Sequence, residues 1–99
     1  MLNKEVLNYL GLAMRSRNLV TGEQVLSSIR SKKACLVIIS EDASENTKKQ
    51  LVDKCTHYQI EYIIKGDSIS ISSAIGKTNR KAVSILDKNF AKKIKEKIG

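Results

Sequence analysis

The feature that most narrows what this chain can become is the run Cys35–Leu36–Val37–Ile38–Ile39, which stops abruptly at Ser40–Glu41–Asp42. A short apolar run rich in β-branched residues, with no polar alternation, predicts a strand over residues 34–40 buried on both faces. Such a strand needs helices above and below it, so the chain is expected to form an α/β sandwich and not a helix bundle. Its carboxyl end opens into the Ser40–Ser44 turn, and in open α/β sheets ligands sit outside that edge.

The remaining elements follow from apolar spacing and end signals. Leu2, Val6, Leu7, Leu10, Ala13 and Met14 recur at helical intervals, which predicts a first helix over 3–15. Gly11 inside it weakens the helix by about 1 kcal/mol relative to Ala, a cost that close packing against a sheet would explain. Leu19–Val20 is a short extended piece. Thr21 followed by Gln24 is a capping-box pattern, so a second helix is expected from Gly22 to about Ser31. Ser44 caps a third helix ending near His57, and Ile60–Ile64 reads as a strand. Residues 68–76 carry both strand and helix periodicity; Asp67 or Ser68 as cap and Gly76 as stop favour a short helix. Lys81–Leu86 is the last strand, and Asp87 caps a final helix with Phe90, Ala91, Ile94 and Ile98 inward and Lys88, Lys92, Lys93, Lys95 and Lys97 outward. The order is α-β-α-β-α-β-α-β-α, a single domain over 1–99 with a four-stranded mixed sheet in a three-layer α/β/α sandwich.

Charge says most about partners. Eighteen Lys and Arg against ten Asp and Glu leave a formal +8, with a pI near 9.7. That excess favours a polyanion such as RNA. Four per cent aromatic residues supply few platforms for stacking bases. No run approaches the roughly 18 apolar residues of a membrane span, and the N-terminus lacks a signal-peptide layout, so a cytoplasmic protein is expected. Cys35 in the strand and Cys55 on a helix face have no metal-ligand spacing and read as buried small hydrophobes.

Catalysis has little to work with. The single histidine, His57, has no partner pattern to orient it, and the five glycines form no phosphate loop. Glu41 and Asp42 point apart as neighbours and are better suited to capping or loop closure than to acid–base work. No enzyme, metal or cofactor is expected. Thr21–Gly22–Glu23–Gln24 offers amides and a glycine at a helix start, a setting that suits either a plain capping box or an anion or base-edge contact.

The order of elements, the strand-plus-turn signature Ala34-x-Leu36–Val37–Ile38–Ile39–Ser40–Glu41–Asp42–Ala43–Ser44, and Ser73–Ala74–Ile75–Gly76–Lys77 before the last strand resemble the kink-turn-binding ribosomal-protein superfamily. Thr21–Gly22–Glu23 and Asp53–Lys54–Cys55 with Tyr58 are similar to its small bacterial YlxQ/YbxF-type branch, and the likeness spans essentially the whole chain. The short chain and its charge favour a monomer, and the resemblance implies a protein that binds kink-turn or ribosomal RNA, at or near the ribosome. A helix start would enter the groove at sheared G·A pairs, and an apolar loop would cover the looped-out nucleotides. By position, Thr21, Gly22, Glu23 and Gln24 fall on the first element, with Ser40, Glu41 and Asp42 on the strand-end loop. Ile71, Ser72, Ile75 and Gly76 fall on the covering loop, and Arg15, Arg17 and Lys77 are implied phosphate contacts; Lys32, which follows the second helix, is also expected among the RNA-binding residues. Glu23, Gln24 and Ser27 stand where archaeal members carry an Asn-Glu pair and a lysine one turn later. A second reading is a protein-interaction module, or a ribosome-assembly accessory, that kept the fold and docks an acidic partner on the lysine face of the last helix.

Overall fold

A computed structural model of the chain describes residues 2–98. Nine elements alternate as the sequence implies: α1 (Lys4–Arg15), β1 (Leu19–Thr21), α2 (Gln24–Arg30), β2 (Leu36–Ile39), α3 (Glu45–Tyr58), β3 (Tyr62–Ile64), α4 (Ser68–Ala74), β4 (Ala82–Ile85) and α5 (Lys88–Ile98). Side-chain caps start four of the helices. Val6 N donates to Asn3 Oδ1, Thr47 N to Ser44 Oγ, Ser70 N to Asp67 Oδ2 and Phe90 N to Asp87 Oδ2, each typically worth about 1 kcal/mol. Residues 68–74 are helical, as the cap and stop signals favour.

The sheet runs β1-β4-β2-β3. β4 pairs antiparallel with both β1 and β2, and β3 joins β2 in parallel. β2 is fully buried at every residue. Leu36 and Ile38 point to one face with Val6, Leu10, Ile71 and Ile94, from α1, α4 and α5. Val37 and Ile39 point to the other with Val25, Ile29, Leu51 and Cys55, from α2 and α3. Strand alternation therefore splits one apolar run between two cores and makes the three layers. At about 1.5–3 kcal/mol per buried large side chain, this strand contributes more to folding than its four residues suggest.

Several local expectations shift. The second helix starts at Gln24 and not at Gly22, because Thr21 is the last residue of β1 and its hydroxyl donates to Ala82 O at 2.8 Å. The capping box is therefore not made: a cross-strand acceptor takes the hydroxyl that would have capped the helix. Gly11 packs against a helix and not against the sheet, since a Cβ there would lie 2.9 Å from Ala74 O of α4. Cys35 precedes β2 and is only half-buried, whereas Cys55 is buried, which pushes its thiol up to about 11.

Candidate nucleic-acid interface

Strand direction decides which residues meet. β1, β2 and β3 all run one way and β4 the other. One end of the sandwich therefore gathers the turns after β1, β2 and β3 together with the loop before β4. Thr21–Glu23, Ser40–Ser44, Lys65–Asp67 and Ile75–Lys81 share this loop end.

Two of its turns are stapled together by acids. Glu41 N donates to Gly66 O at 2.8 Å, while Gly66 N donates back to Glu41 Oε2 at 3.0 Å. Asp42 accepts from both the Ser68 hydroxyl at 2.6 Å and the Ser68 amide at 2.9 Å. Those two bonds hold its carboxyl far below the usual carboxylate range. Lys81 Nζ completes the group, 3.7 Å from Asp42 Oδ2 and donating to Ser68 Oγ at 3.2 Å. These contacts of Glu41 and Asp42 are loop-closing ones.

The open part of the loop end is a cleft of about 250 Å³ between α2, α3 and the α4–β4 loop, lined by Gly22, Thr47, Gln50, Asn79, Arg80 and Lys81 among others. Gly22 sits at φ +66°, and a Cβ there would come 3.0 Å from an Arg80 guanidinium nitrogen. Only glycine holds that conformation without strain while letting the guanidinium lie against the backbone. Ser72 Oγ holds the Arg80 backbone, accepting from its N at 2.8 Å and donating to its O at 3.3 Å. Arg80 Nε is buried and, among the described residues, has no hydrogen-bond partner. A desolvated guanidinium nitrogen of this kind is stabilised by an incoming anion or carbonyl.

The expected site residues divide. Gly22, Glu23, Gln24, Glu41, Asp42, Gly76 and Lys77 are exposed at or beside the loop end, and Thr21 is half-buried there. Ser40 is fully buried, and Ile71, Ser72 and Ile75 are 0%, 3% and 6% exposed. These four side chains belong to the interior; of the expected covering loop only Gly76 is exposed, and Lys77, Thr78 and Asn79 are exposed beside it. Arg17 and Lys32 stand where the chain enters β1 and β2, at the opposite end of the sheet from Thr21 and Ser40. Arg15 lines a separate groove between α1 and α4 with Gly11, Ser73 and Ala74. Arg80 and Asn79 were not singled out from the sequence; a basic pair just ahead of the last strand is the one signal that could have marked them. On α5, Lys95 pairs with Glu61 at 2.9 Å and Lys97 with Glu5 at 3.5 Å, so two of its five lysines are engaged within the chain.

Residues 4–96 match the family described as ribosomal protein L7Ae/L30e/S12e/Gadd45. The chain is 43% identical over 96 residues to RNA-binding protein YlxQ of Enterococcus faecium, covering 96% of this chain and 92% of that one. It is 42% identical over 86 residues to RNA-binding protein YlxQ of Bacillus subtilis (strain 168), covering 86% of each. A Bacillus halodurans C protein of unknown function has the same fold at TM-score 0.91 and 40% identity, covering 97% of this chain and 98% of that one. The Giardia lamblia 15.5kD RNA binding protein superposes at TM-score 0.76 and 21% identity, covering 97% of this chain and 89% of that one, a likeness of fold.

Proposed function

Because the chain belongs to the ribosomal protein L7Ae/L30e/S12e/Gadd45 family, we propose that it binds a kink-turn in RNA with its loop end, as a single-domain, cytoplasmic monomer acting on ribosomal RNA. The family's own description and the RNA-binding name of both YlxQ relatives support the coarse reading. The finer one is carried by a single observation, the Gly22–Arg80 contact. The left-handed glycine leaves the backbone of the β1–α2 turn bare beside a guanidinium with an unused, buried N–H. Arginine is suited to bidentate donation to phosphate or a guanine edge. In this mechanism Glu23 and Gln24 meet the sheared G·A edges, Arg80 and Lys77 the adjoining backbone, and Gly76–Asn79 the looped-out nucleotides.

Arg80→Gln removes the charge and the fork geometry while keeping a polar side chain. A hydrogen bond to a charged group is worth about 1.5–3 kcal/mol, so the variant is expected to bind a kink-turn RNA roughly tenfold or more weakly. Circular dichroism verifies that it folds. A folded Arg80→Gln protein with unchanged affinity overturns the placement of the site.

A further inference from the structure

The excess charge of this chain lies away from its loop end. There, Lys65, Lys77, Arg80 and Lys81 are offset by Glu23, Glu41, Asp42 and Asp67. At the opposite end the backbone gathers three turns. Leu86 N donates to Asn18 O at 2.8 Å and Cys35 N to Ile85 O at 2.7 Å, which sets the α1–β1 and α2–β2 turns beside the start of α5. This pole carries Arg17, Arg30, Lys32, Lys33 and Lys88, all exposed. The two acids near it are already used: Asp87 caps α5 and Glu61 pairs with Lys95. Among the described residues, none of those five cations is in an ion pair.

A second observation marks the same surface. Arg17 and Lys32 hold left-handed backbone, at φ +64° and +59°. Each follows a helix's last residue by two positions, where glycine is preferred because it carries no steric penalty. Long cations at both positions add charge where turn geometry alone would favour glycine.

We infer that this far pole is a second phosphate-binding surface, one that takes the sugar–phosphate backbone of a plain nucleic-acid helix while the loop end takes a different RNA segment. The three turns lie on the neighbouring strands β1, β4 and β2, a width of about 10 Å at the usual strand spacing. At one phosphate per 3.4 Å along each strand, that width faces about three phosphates. The chain then bridges two RNA elements through opposite ends. The inference shares the RNA-binding reading above but does not depend on the kink-turn specificity of the loop end.

The test compares the whole protein with an Arg30→Gln/Lys33→Gln/Lys88→Gln variant, titrated over a salt series against a plain Watson–Crick RNA duplex and the same duplex carrying a kink-turn. The variant is expected to bind the plain duplex at least tenfold more weakly at low salt. Its slope of log affinity against log salt should fall by about two to three units, with its relative preference between the two RNAs kept. A separate Arg17→Gly/Lys32→Gly variant is expected to melt no lower than the parent yet also to lose duplex affinity, an outcome that a purely structural role in the turns does not give. Unchanged duplex binding in the triple variant overturns the inference, whatever the kink-turn preference. Loss of duplex binding in a protein that never prefers the kinked RNA keeps this surface and removes the loop-end reading. If the parent binds phosphatidylserine vesicles and not the plain duplex, the pole is a membrane contact and the inference falls.

Discussion

Asp42 carries a pH dependence that can be measured directly. The Ser68 hydroxyl and amide lower its folded pKa, so its contribution to stability is complete above the unfolded carboxyl value of about 3.9 and is lost as the pH falls through the lowered folded value. Asp67, lowered chiefly by the Ser70 amide, acts in the same direction. The melting temperature of the parent is therefore expected to drop between pH 4 and pH 2.5. Asp42→Asn should lower it already at pH 7 and flatten that acid drop; thermal melts at three pH values check this. An acid drop as steep in the variant as in the parent would mean that the Ser68 bonds are not the cause. The loop-closing role of Glu41 and Asp42 was legible because adjacent carboxylates at a strand end suit turns. Thr21 misled for a physical reason: its hydroxyl had a local helix to cap and a distant carbonyl, Ala82 O, to bond, and the tertiary partner won.

At the scale of elements, the crossing of α1 over α4 depends on Gly11. Helix propensity alone predicts that replacing it with alanine gains about 1 kcal/mol, and with β-branched valine less. The 2.9 Å approach of a built Cβ to Ala74 O opposes that gain, because a backbone oxygen cannot swing aside. Overpacking of this kind costs about 1–3 kcal/mol, and valine, with two more methyls, adds to it. Gly11→Val is expected to melt lower by roughly 4–8 °C for each kcal/mol lost in a domain this size; a melt equal to or above the parent's would show that the helices separate freely. Element type and order were readable because apolar period and caps agree for nearly every segment. Depth was harder to read. The family resemblance put Ile71 and Ile75 on a covering loop, yet α4 turns them into the same core as Leu36 and Ile38. Direction was harder still. Arg17 lies four residues before Thr21, but a strand separates them, and each strand residue carries the chain about 3.3 Å further from one end of the sheet to the other.

For the whole molecule, the formal +8 does not behave as one field. A near-neutral loop end with a half-buried guanidinium whose Nε is desolvated suits selection among RNA shapes, while a cationic far end suits salt-dependent grip. These are the two terms that nucleic-acid recognition keeps apart: phosphate contacts position, and groove contacts specify. The central claim is that the loop end selects a kinked RNA. Its most direct test is a titration at near-physiological salt against a short duplex containing a kink-turn, beside the same duplex with the sheared G·A pairs replaced by Watson–Crick pairs. Preference for the kinked duplex by at least about tenfold, roughly 1.4 kcal/mol, is the expected result. Equal, weak and salt-quenched binding to both would contradict the claim and leave only the charge of the far pole to account for RNA binding.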